Sequence, residues 1–95
     1  MNDYLFLMHA GTQAEPEDWA IYIAKLRAAG CFQGGSSIGS GICATKSGAA
    51  PAPTRHLAGY MKIRATDLNH ATALLEGNPV FEGGGVVEVR ELPKD

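Results

Sequence analysis

Basic charge is what this sequence has least of to spare. Its eight Lys and Arg are outnumbered by ten Asp and Glu, leaving a formal charge of −2. No cationic excess is available to neutralise a phosphate backbone, the interaction that dominates nucleic-acid affinity, so nucleic acid is excluded as an expected direct partner. Long apolar runs are also missing. Tyr4-Leu5-Phe6-Leu7-Met8 is far short of the roughly 20 residues that span a bilayer, and no basic segment precedes it as in a signal peptide. The expectation is a cytoplasmic protein with no membrane partner. Cysteine is scarce, with only Cys31 and Cys43. They lack the close pairing of a redox motif or zinc knuckle and have no histidine beside them, so they are expected as reduced packing residues. His9, His56 and His70 show no i, i+4 pair or other ligand spacing. Neither a metal site nor a cofactor is expected.

What is present is the composition of a packed globular protein, 45% hydrophobic and 19% charged over 95 residues, which sets the expectation of one domain over 1–95. Tyr4 to Met8 carries no polar residue and reads as a central strand apolar on both faces. Pro16 followed by Glu17 and Asp18 has the chemistry of a helix start. Trp19, Tyr22, Ile23 and Leu26 then recur at helical spacing, and Gly30 supplies a stop. Cys31 to Thr45 mixes Phe32, Ile38 and Ile42 with glycines and reads as an edge strand broken by bulges. Lys46 to Thr54, with Pro51 and Pro53, reads as a connecting loop.

Arg55 to Arg64 reads as a strand with Leu57, Gly59, Met61 and Ile63 on one face and His56, Ala58, Tyr60, Lys62 and Arg64 on the other. Thr66 is placed to cap a second helix carrying Leu68, Ala71, Thr72 and Leu75, ended by Gly77-Asn78-Pro79. Val86 to Leu92 alternates as a last strand, Val87 and Val89 opposite Glu88 and Arg90.

The order is β-α-β-β-α-β, an α+β fold of ferredoxin-like type with a four-stranded antiparallel sheet. Two helices cover one face of such a sheet. A first strand that is apolar on both faces therefore leaves an apolar patch bare, and a two-fold contact, which uses one patch twice, predicts a homodimer.

Several segments also resemble the YCII-related proteins over nearly the whole chain. They are Tyr4-Leu5-Phe6-Leu7-Met8, Leu26-Arg27-Ala28-Ala29-Gly30, Gly34-Gly35, Leu57-Ala58-Gly59-Tyr60, and Asn78-Pro79 through Val87-Glu88-Val89-Arg90. The resemblance implies a dimeric α+β barrel. It also implies an active site made of a first-helix histidine and an aspartate after the second helix. Trp19 and Asn78 stand at those two positions, and neither side chain titrates near neutral pH, so the dyad is not carried over. The Asp-Gly-Pro-Phe motif of one branch of that family is missing as well.

Trp19 and Asn78 remain candidates for a ligand pocket, against the alternative that Trp19 anchors its helix and Asn78 opens the turn at Pro79. His9 and His56 are the general-base candidates, His9 because a first-strand end opens toward a cleft. Tyr60, Lys62 and Arg90, on the wetter sheet face, would suit an anionic ligand, or would simply be solvated charges. Gly39-Ser40-Gly41-Ile42-Cys43-Ala44 has the letters of a dinucleotide fingerprint without the following helix that such a motif needs. The leading expectation is a homodimer that binds a small, in particular an anionic, molecule in a cleft or barrel cavity. The alternatives are an isomerase, lyase or dehalogenase using a histidine proton carrier, and an accessory protein for a larger partner.

Overall fold

A computed structural model of the chain describes residues 1–94. Its elements are β1 (Asn2–His9), α1 (Pro16–Ala28), β2 (Phe32–Ser37), β3 (Leu57–Ala65), α2 (Leu68–Ala73), α3 (Pro79–Glu82) and β4 (Val87–Leu92). The strands form one sheet in the order β2-β3-β1-β4, and every neighbouring pair is antiparallel. This is the ferredoxin-like α+β arrangement, with β1 and β3 central and β2 and β4 at the edges.

The period-2 alternation of β1 decides which side chains meet the helices. Tyr4, Phe6 and Met8 are buried, whereas Leu5 and Leu7 between them are only half-buried. On β3, Gly59, Met61, Ile63 and Ala65 are buried and Tyr60, Lys62 and Arg64 are exposed. The buried set joins Tyr22 and Leu26 of α1, Ala71 and Leu75 around α2, and Val80 of α3 in one core, with Trp19, Ile23, Phe32, Val87 and Val89 packed at its edge. The core is one-sided. Leu5 and Leu7 lie on the uncovered face, so the first strand is less enclosed than its apolar sequence predicts.

Local chemistry places the helix ends. Pro16 occupies the first turn of α1, Glu17 and Asp18 sit beside its N-terminus, and Asp18 Oδ2 accepts from the Glu15 backbone N–H at 3.4 Å. For α2 the cap is Asp67 and not Thr66: Asp67 Oδ1 accepts from His70 N at 2.8 Å. Thr66 instead turns its N–H to His70 Nδ1 at 3.0 Å. α2 ends at Ala73 with Leu74 as its C-cap, short of the expected stop at Gly77-Asn78-Pro79, and Pro79 starts a third helix, because its fixed φ and missing N–H suit a first turn.

β2 is an edge strand with a register shift between Phe32 and Gly35, as the glycines suggest, yet it ends at Ser37 and not near Thr45. Residues 38–56 contain neither helix nor strand and form a long arm, with Ile42 87% exposed. The arm makes the chain extended: its radius of gyration is 14.7 Å, against about 12 Å for a compact chain of this length.

Tyr22 ties α1 to the segment after α2. Its hydroxyl donates to the Leu74 carbonyl at 2.7 Å. Burial pushes the phenol from 10.0 up to about 12, the neighbouring Asn78 amide offsetting only part of that rise. The unfolded chain releases this proton near pH 10 and the folded one only near 12, so the unfolded state binds fewer protons in that window. The Tyr22 contribution to stability is therefore level below about pH 10 and is lost between 10 and 12. Tyr22→Phe should lower stability at neutral pH by about 1 kcal/mol through the lost hydrogen bond. It should also flatten the alkaline decline, as measured by urea midpoints on either side of pH 10.

Candidate functional site

Because β3 and β4 both run antiparallel to β1, the end of β1 lies beside the beginnings of its two neighbours. His9 N donates to Val86 O at 2.9 Å, and Ala10 N donates to His56 O at 2.6 Å. This junction brings two histidines and a glutamate together from three distant parts of the chain. The His9 and His56 rings meet edge to face, with centroids 4.7 Å apart. His9 Nε2 lies 3.5 Å from Glu88 Oε1, and potential ligand atoms of His9, His56 and Glu88 all fall within 4.8 Å of one another. The other Glu88 oxygen, Oε2, faces Arg90 Nη1 at 3.5 Å. His9 Nε2 is shielded from solvent yet completes no hydrogen bond.

On the helix side of the sheet a cleft of about 640 Å³ opens between α1, the loop that follows β1, and the β2–β3 edge. Its apolar wall includes Met8, Trp19, Ile23, Phe32, Met61 and Val80. Its polar side chains come from Thr12, Gln13, Glu15 and Ser37, while Ser36 and Tyr60, whose side chains alternate onto the open face, border it through their backbone carbonyls. Two glycines shape it. Gly59 occupies a helix-facing position of β3, where a Cβ would stand 3.1 Å from Ser36 O and 3.5 Å from the Met8 methyl. Gly35 lets β2 approach β3 so closely that a Cβ there would come within 2.5 Å of the Tyr60 carbonyl oxygen. His9 also lines the cleft, so the cluster and the cleft meet at the end of β1.

No protein-family model matches the chain, and neither does any curated protein. These comparisons show no family for the chain.

The candidate residues separate into three groups. His9 and Trp19 line the cleft and His56 stacks on His9 at its border, whereas Tyr60 borders it only at its backbone and turns its side chain to the open face. Lys62 and Arg90 lie away from it: in register they flank Leu5 on the open face, and Arg90 is engaged by Glu88. Asn78 is fully buried and works as the cap of α3, its Oδ1 accepting from Val80 N at 3.0 Å and Phe81 N at 3.1 Å. Cys31 and Cys43 are both free thiols. Glu88 is the member of the cluster that the sequence pattern conceals, because alternation along β4 identifies its face but not its opposite number on β1.

Among the described residues, no helix is long and apolar enough to cross a membrane.

Proposed function

We propose that this chain is a cytoplasmic homodimeric domain that binds a small molecule in the cleft beneath α1. The observation that carries this reading is a cleft of about 640 Å³ with an apolar wall and a few convergent hydroxyl and amide groups, the usual make-up and size of a small-molecule site. No lysine or arginine is among its lining residues, so the ligand that fits is neutral and partly aromatic, stacking on Trp19 and hydrogen-bonding at Thr12, Gln13 or Ser37. An anionic ligand suits Lys62 and Arg90 on the open face instead. The resemblance to YCII-related dimeric barrels supports the same assembly, as do Leu5 and Leu7 on the open face of the sheet.

A thermal-shift screen with neutral heterocyclic metabolites tests the cleft. A genuine ligand present at 100 times its dissociation constant should stabilise the fold by about 2.7 kcal/mol, a clear rise in Tm. Trp19→Ala should weaken it at least tenfold, and Gly59→Val, which fills the floor, should abolish it. Absence of any shift in the unaltered protein, or a shift indifferent to both substitutions, removes the cleft as the binding site.

One observation favours a second reading, an enzyme that moves a proton. Glu88 lies 3.5 Å from the His9 imidazole at the border of the cleft, and a carboxylate so placed can hold a histidine for acid–base work. On that reading His9→Ala removes turnover while ligand binding persists.

A further inference from the structure

We infer that His9, His56 and Glu88 form a binding site for a divalent transition-metal ion of the zinc class, at the junction of β1, β3 and β4. Two imidazoles and a carboxylate are a common donor set for such ions, whereas magnesium and calcium prefer oxygen alone.

The geometry supports this on three counts. Ligands bound at 2.0–2.1 Å on a tetrahedral zinc stand about 3.3 Å apart, and His9 Nε2 and Glu88 Oε1 are already 3.5 Å apart. That pair is nevertheless not aligned as a hydrogen bond, for His9 Nε2 is buried without a partner. A buried nitrogen in that condition calls for an explanation, and a metal ion between the two atoms supplies one. The carboxylate is also divided between two tasks: Oε2 faces Arg90 Nη1, leaving Oε1 turned toward the imidazole. Arg90 is thereby a positioning residue that orients the ligating group, as outer partners of metal ligands commonly do.

The remaining ligand, His56, is exposed. The widest separation in the cluster is within 4.8 Å, so closing to tetrahedral spacing requires a shift of about 1.5 Å, which a rotamer change of an unconfined side chain provides. Three protein ligands leave one coordination position open for water or substrate, the pattern of a catalytic rather than a structural zinc site. His56 also ends the arm of residues 38–56, so a bound ion would pin the base of that arm to the two strands beside it. The inference is independent of what occupies the cleft.

The test uses the full chain freed of metal by chelator dialysis. Co2+ is titrated while its visible ligand-field bands are followed, and Zn2+ is titrated by calorimetry. The expected result is one ion per chain with the intense bands of four-coordinate Co2+. His56→Ala and Glu88→Gln, both at surface-accessible positions, should keep the fold by circular dichroism and weaken binding at least tenfold. Cys43→Ser and His70→Ala should leave binding unchanged. The site is overturned if no saturable one-to-one binding occurs, if binding survives both His56→Ala and Glu88→Gln, or if it is lost with Cys43→Ser or His70→Ala.

Discussion

Asn78→Ala should destabilise the protein by about 2–3 kcal/mol, the sum of a lost helix cap and newly unpaired backbone donors. The Asn78 side chain is 0% exposed, and its Oδ1 is the acceptor for both Val80 N and Phe81 N. Alanine leaves those two N–H groups without their acceptor, one of them buried. Asn78 Nδ2 has no partner, so its removal returns a little of the loss. For a domain of this length the expected fall in Tm is on the order of 10–20 °C, readable by calorimetry or urea unfolding. The result also decides what Asn78 is for. A stability loss of this size with an unchanged cleft identifies it as the post that holds α3 under the sheet. Lost ligand affinity at unchanged stability would make it a contact residue instead.

Leu7→Lys should convert the proposed homodimer to a monomer. Leu7 lies on the open face of β1 between Tyr60 of β3 and Glu88 of β4, with Leu5 one step along the same face. Tyr60 retains 38% of its surface and Val86 55%, so Leu5, Leu7, Tyr60 and Val86 form an apolar strip, with Lys62 and Arg90 beside Leu5 and Glu88 beside Leu7. Contact about a two-fold axis would bring two copies of Leu7 near each other. Replacing both by ammonium groups adds like charges and a desolvation penalty at one spot. Within a single chain Leu7 is only half-buried and outside the core, so circular dichroism should stay native. Sedimentation should then give 10.0 kDa for the variant and twice that for the unaltered protein. A wild-type chain that sediments at its single-chain mass at every concentration eliminates the dimer and any barrel formed by it.

Local chemistry made much of the scaffold readable. Pro16 and the acidic pair after it mark the start of α1, the Trp19-Tyr22-Ile23-Leu26 spacing marks its inner stripe, and alternation on β3 separates Met61 and Ile63 from Tyr60 and Lys62. Each of these signals involves residues within one or two turns of each other, where backbone geometry alone dictates the period. The same reasoning went astray where two local solutions compete. Thr66 and Asp67 are adjacent capping residues, and the choice of Asp67 follows from its extended backbone and its bond to His70 N. Ile38 and Ile42 look like strand residues, yet the β2–β3 register ends at Ser37, and past it only the Ile38 N–H bonds β3, at Ala58 O (2.9 Å).

By itself, then, the sequence determined the order of the four strands and the two longer helices, the inward faces of α1, β3 and β4, and a sheet left bare on one side, but not α3. Only the tertiary structure decided that His9, His56 and Glu88 share a corner and that Gly35 and Gly59 border a cleft. Those relations depend on the register between strands far apart in the chain. That register comes from packing Tyr4, Phe6, Met61 and Ile63 together beneath the helices, and no spacing along the sequence encodes it.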